Sequence, residues 1–103
     1  MFDIRNIQKM QKELQERLER VQQELESRTV EASSGGGMVT ATANGNQQLV
    51  SVRIKPDAVD PNDLEMLEDL VVAAVNLALE KAKELHEAEM SKITGGLKLP
   101  GLF

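Results

Sequence analysis

Two helical patterns, one near each end of this chain, are too long for the body between them, and that mismatch limits what the chain can fold into. Ile4, Ile7, Gln11, Leu14, Leu18, Val21 and Leu25 recur in alternating steps of three and four, with a single polar interruption at Gln11. This is the seam of a helix packed along one line, narrower than the stripe of an ordinary surface helix. At the rise of an α-helix, residues 3–27 would run about 37 Å and residues 61–93 about 50 Å. A compact domain of ~100 residues has a radius of gyration of only about 13 Å. The helices must therefore project from the body. The expected cover for their seams is each other and a second copy of the chain.

Between them the period changes from 3.5 to 2. Val30 and Ala32 alternate with Thr29, Glu31 and Ser33; Val39, Ala41 and Ala43 with Met38, Thr40 and Thr42; Val50, Val52 and Ile54 with Leu49, Ser51, Arg53 and Lys55. Ser34-Gly35-Gly36-Gly37 and Asn44-Gly45-Asn46 punctuate the three runs as turns. A two-residue loop at Gly35-Gly36 would set Ala32 opposite Val39. A loop at Gly45-Asn46 would set Ala41 opposite Val50. Both registers gather Val30, Ala32, Val39, Ala41, Val50, Val52 and Ile54 on one face, which predicts a three-stranded antiparallel meander with strands near 29–34, 38–43 and 48–55. Asp60-Pro61 reads as the start of the second helix, with an acidic N-cap and proline at its first position. Leu67, Leu70, Val71 and Ala74 follow on its apolar arc and complete the expected core and dimer face. The prediction is a single α+β domain over residues 1–103: helix 3–27, meander, helix 61–93, and a tail over 94–103 that packs on something or stays mobile.

Composition narrows the chemistry. With two Phe and no Tyr or Trp, the chain has no aromatic platform for stacking bases. Without cysteine it has no disulfide, thiolate metal site or cysteine nucleophile. MFDIRNIQ lacks the apolar run of a secretory signal, and no apolar stretch approaches the roughly 20 residues that span a bilayer. Gly35-Gly36-Gly37 lies between strands and no lysine follows it in phosphate-loop spacing, so it reads as a hairpin turn. His86, the only histidine, sits among Glu84, Glu87 and Glu89 and reads as a solvated surface residue. The reading is a non-enzyme with no metal, no cofactor, no small-molecule substrate and no membrane association.

Charge is the remaining signal. The net −5 is uneven: residues 1–28 carry six bases and six acids, and residues 56–103 carry ten acids against four lysines. Whole-molecule charge argues against indiscriminate polyanion binding. A local basic stripe can still act, because charges more than about 8 Å apart are largely screened at physiological salt. Arg5, Lys9 and Lys12 fall at i, i+4 and i+7 on the first helix. If the second helix returns antiparallel along the first, Lys92 and Lys98 would approach that stripe. Arg53 and Lys55 form a weaker pair on the outer sheet face. Glu13 with Arg17 and Glu16 with Arg20 are spaced for exposed i,i+4 pairs.

Several separated motifs then carry a resemblance over nearly the whole chain. They are Met10-Gln11-Lys12, Gly35-Gly36-Gly37-Met38-Val39, Val52-Arg53-Ile54 and Asp60-Pro61. Leu67-Glu68-Asp69-Leu70-Val71, Ala73-Ala74-Val75-Asn76 and the ending Gly95-Gly96-Leu97 with Leu99-Pro100-Gly101-Leu102-Phe103 follow in order. The chain resembles the YbaB/EbfC nucleoid-associated proteins of bacteria. The resemblance implies a cytoplasmic, tweezer-shaped homodimer that binds duplex DNA, organises the nucleoid and regulates genes. It carries over no base-reading motif, so the candidate contacts stay those found from charge: Arg5, Lys9, Lys12, Arg53, Lys55, Lys92 and Lys98. The alternative reading is a dimeric protein-interaction scaffold without direct DNA binding.

Overall fold

The computed structural model describes residues 3–94. Asp3 caps the first helix, α1 (Ile4–Ser27), by accepting the Arg5 amide at 3.0 Å. Arg28 is extended and leads directly into β1 (Thr29–Ser34), which β2 (Val39–Asn44) and β3 (Leu49–Ile54) follow. The sheet is antiparallel in the order β1-β2-β3. A short 3₁₀ turn (Pro56–Ala58) precedes α2 (Leu64–Thr94). The architecture is α+β, two long helices around a three-stranded sheet. The molecule is elongated, 73 × 25 × 16 Å, with a radius of gyration of 19.6 Å.

Both hairpin registers differ from those expected. Ala32 pairs with Ala41 rather than Val39, because the first turn spans four residues: Ser34 pairs with Val39. Gly35, Gly36 and Gly37 all have positive φ (61°, 66° and 91°), more left-handed backbone than a two-residue loop accommodates. Ala41 pairs with Val52 rather than Val50. Each pairing slips by two residues, and a slip of two leaves every side chain on its original face. The expected apolar face therefore survives with the wrong partners, except at one place. A bulge between Thr42 and Ala43 leaves Val50 as the extra residue of β3, and it is 57% exposed.

The second helix also starts later than expected. Asp60-Pro61 forms a turn: the Asn62 amide donates to the Asp60 carboxylate at 2.9 Å and the Asp63 amide to the Asp60 carbonyl at 2.9 Å. Proline at the second position of a turn needs the same φ as proline at the first position of a helix, so the dipeptide satisfies either. Asp63 is the working cap, its carboxylate accepting the Met66 amide at 3.2 Å.

The core is built from small residues. Ala74, Ala78 and Ala82 form a line along α2 against Ala32, Val39, Ala41 and Ala43 of the sheet, flanked by Val30, Val52, Leu67, Leu70, Val71, Val75 and Leu79. Alanine at i, i+4 and i+8 lets the helix backbone come close to the strands. Ser34 fixes the approach by donating its hydroxyl to the Leu70 carbonyl at 2.6 Å. α2 lies mainly across β1 and β2 and meets β3 only at its margin. Leu49, Val50 and Ile54 of β3 are consequently exposed, as are Val59, Leu64, Met66, Val72 and Leu77.

Candidate nucleic-acid interface

Position on α1 is set by about 100° of rotation per residue. Lys9 stands two residues beyond Ile7, hence about 200° round the helix. Arg5 and Lys12 fall within a turn's width of Lys9. The basic stripe thus faces directly away from the apolar seam, and α1 carries two opposed faces with different chemistry. All three basic residues are exposed. Among the described residues none of them has an ion-pair partner. Glu13 with Arg17 and Glu16 with Arg20 also form no ion pair there, since a solvated surface pair gains little over water.

The arm is anchored at one end of the sheet. Leu25 is buried against the turn after β2, where the Gly45 amide donates to both the Leu25 and Arg28 carbonyls at 2.9 Å. Asn46 donates its side-chain amide to the Gln22 carbonyl at 3.0 Å. Asn44, 5% exposed, organises that turn by accepting the Asn46 and Gln48 amides at 3.0 and 3.1 Å. His86 places Nδ1 3.2 Å from the Gly45 carbonyl oxygen, so the histidine ties α2 to the same turn. Among the described residues no group of three His, Cys, Asp or Glu side chains is placed to hold a metal.

α2 runs antiparallel to α1 but meets it only along the C-terminal half. Arg28 and Lys92 each reach the same Glu89 carboxylate oxygen at 3.0 Å. Lys92, and then Arg28, hold the Glu89 carboxyl below its ordinary range through these charge-assisted hydrogen bonds. Lys92 and Ile93 share a shallow cleft with Arg17, Arg20 and Val21. The end of α2 therefore brings Lys92 beside Arg17 and Arg20, not beside Arg5, Lys9 and Lys12, which lie farther out. Lys98 lies outside the described residues. Arg53 and Lys55 are also apart from the arm: the Lys55 amide pairs with Met38 at the glycine-rich end of the sheet, opposite the Gly45 end from which α1 leaves.

The structure thus joins Arg17 and Arg20 to Lys92, a grouping that i,i+4 spacing alone had assigned to local pairs. Comparing the two helix lengths with the position of the β2–β3 turn would have exposed it. Of the expected apolar residues, Ala32, Val39, Ala41 and Ala74 are buried, and Val30, Val52, Leu67, Leu70 and Val71 pack against them. Ile54 and Val50 stand exposed in the single chain.

No helix among the described residues is long and apolar enough to cross a membrane. A model of the YbaB/EbfC DNA-binding family matches residues 1–97. A nucleoid-associated protein of Thermoanaerobacter pseudethanolicus is 56% identical over 102 residues, covering 99% of this chain and 92% of the relative. A nucleoid-associated protein of Acetivibrio thermocellus is 55% identical over 102 residues, covering 98% of this chain and 90% of the relative. The crystal structure of an uncharacterized protein from Helicobacter pylori matches with a TM-score of 0.82 at 19% identity, over 92% of this chain and all of that one. That last likeness is one of fold alone.

Proposed function

Since this chain belongs to the YbaB/EbfC DNA-binding family, we propose that it is a nucleoid-associated protein that binds duplex DNA as a homodimer, through the basic face of α1. The observation that carries the reading is the stripe of Arg5, Lys9 and Lys12 on a projecting arm, without an ion-pair partner among the described residues, in a chain whose family is a DNA-binding one rather than an enzyme family. Relatives named as nucleoid-associated proteins support placement in the nucleoid. Gene regulation would follow from altered DNA conformation at particular loci.

The homodimer is supported by what one chain leaves uncovered. Its largest fully buried side chains are only Leu25 and Val39, while Leu49, Val50, Val59, Val72 and Leu77 stay exposed around the body. A soluble chain with so small a core gains from covering those groups with a second copy. A two-fold dimer would present two arms, matching the pseudo-two-fold symmetry of duplex DNA. Contacts would be mainly to phosphate, because α1 (Ile4–Ser27) carries no aromatic residue to stack a base. Sequence preference would then be modest and come from DNA shape.

The test is a fluorescence anisotropy titration of a short random-sequence duplex at about 50 and about 150 mM salt, since phosphate neutralisation makes binding salt-dependent. Binding at the lower salt that weakens at the higher is expected. A protein-interaction scaffold would leave the anisotropy unchanged at both.

A further inference from the structure

The turn between β2 and β3 contains a chemically labile dipeptide. In an asparagine–glycine pair no side chain on the second residue shields its amide nitrogen, which can attack the asparagine carboxamide. Asn44-Gly45 is such a pair, whereas Asn6, Asn46, Asn62 and Asn76 precede Ile7, Gln47, Asp63 and Leu77. The fold calls for both residues. Gly45 is not among the glycines with positive φ, and the left-handed position of this turn is Gln47, at 62°. Glycine is needed there for room, because a Cβ would come within 2.6 Å of Leu25 Cδ2. Asn44 is needed to cap the turn: Oδ1 accepts the Asn46 and Gln48 amides, and Nδ2 donates to Gln48 Oε1 at 2.9 Å.

The same contacts disarm the pair. The nitrogen becomes a nucleophile only after losing its proton, and that proton points at two acceptors, the Leu25 and Arg28 carbonyls, each 2.9 Å away. The carboxamide must swing onto this nitrogen, yet it is bound through both its oxygen and its nitrogen, and Asn44 is buried. Both acceptors of the Gly45 proton lie at the end of α1, Leu25 within the helix and Arg28 as its C-cap. His86 adds a tie from α2 at the Gly45 carbonyl. The guard is therefore the root of α1, outside the turn that carries the labile bond.

We propose that Asn44-Gly45 is a deamidation site gated by α1, intact while Leu25 is seated and modified when the root of the helix lifts from the turn. Solvent base then removes the Gly45 amide proton, and the nitrogen bonds to Asn44 Cγ. The Cγ–Nδ2 bond breaks, and the side-chain nitrogen takes a proton from water and leaves as ammonia. The cyclic imide adds one water. Opening at the side-chain carbonyl gives aspartate at position 44. Opening at the backbone carbonyl gives isoaspartate, with one more carbon in the main chain. Either product sets a carboxylate against Gln48 Oε1, where an amide donor stood. The isoaspartyl link also lengthens a turn closed by the Asn44 amide donating to the Gln48 carbonyl at 2.9 Å. A chain modified once thus has a weaker seat for its arm, whether or not the arm binds DNA.

The test holds the full chain in mildly alkaline buffer, with and without enough urea to unfold it, and follows each asparagine by peptide mass spectrometry. In urea Asn44 is expected to deamidate ahead of the other asparagines. In the native chain its rate should be at least about tenfold lower, because only the locally opened fraction reacts. Leu25→Ala is expected to raise the native rate about tenfold, and His86→Ala, which keeps Leu25 and removes only the tie from α2, about threefold. Should Leu25→Ala fail to fold, as circular dichroism would show, His86→Ala alone decides. Hydrogen exchange at the Gly45 amide, read on the same samples, should rise in the same order as deamidation. A native rate equal to that in urea would overturn the proposal. A rate that stays at the parent value in the folded variants would overturn it as well.

Discussion

Replacing Arg5, Lys9 and Lys12 together with alanine is expected to abolish most of the salt dependence of DNA binding. Each arm offers three cations on one exposed face, without ion-pair partners among the described residues, so a dimer would offer about six. Neutralising six phosphates gives log K a slope of about −5 against log salt, and a loss of roughly a thousandfold in affinity between about 50 and 200 mM. The triple variant should flatten the slope by most of that amount and bind random and chosen duplexes equally poorly. The substitutions lie on the face of α1 opposite its packing seam, and alanine is the best helix former, so the fold should hold. Circular dichroism of the variant checks this. A slope indistinguishable from the parent protein would move the interface off the outer arm. The next cluster to test would be Arg17, Arg20 and Lys92, gathered by the end of α2.

Leu25→Ala is expected to cost about 3 kcal/mol of unfolding free energy, the middle of the range for emptying a fully buried leucine site. Leu25 is 1% exposed. It fills the junction where α1, the β2–β3 turn and α2 meet. A Cβ added at Gly45 would come within 2.6 Å of Leu25 Cδ2 and 3.0 Å of its carbonyl oxygen, so neither side of the contact has room to spare. Removing the leucine leaves a void that this hydrogen-bonded turn cannot readily collapse to fill. The measurement is urea unfolding at fixed protein concentration, because the proposed dimer would make apparent stability concentration-dependent. The midpoint should fall with little change in m. Amides of residues 21–27 should also lose protection. A cost below about 1 kcal/mol would mean that the backbone hydrogen bonds of Gly45 hold the arm without the packing.

What could be read from the sequence follows from which signals are periodic. The heptad seam and the alternation of Val39, Ala41 and Ala43 fixed element type and order, because those periods differ and neither depends on partners. Strand pairing depends on turn length. Three glycines admit several turns, so Ala32 was matched to Val39 instead of Ala41. The error was harmless to the face because it was an even number of residues. The bulge at Val50 was not legible, since an extra residue within a β-rich run leaves no compositional mark. Asp60-Pro61 was ambiguous for a physical reason: the same φ serves a turn and a helix start, and only Asp63 close behind it settles which. The basic stripe was visible from spacing alone. Its isolation from Lys92 was not, because that depends on where α2 stops along α1.

In the proposed dimer, two chains join through the apolar surface that one chain leaves open, so that paired arms project from a shared body. Sedimentation equilibrium at micromolar and lower concentrations tests that most directly. Two chains of 11.4 kDa each should sediment together, at about 23 kDa, with the exposed side chains of β3 and α2 protected from solvent. A folded species of 11.4 kDa persisting at micromolar concentration would contradict it.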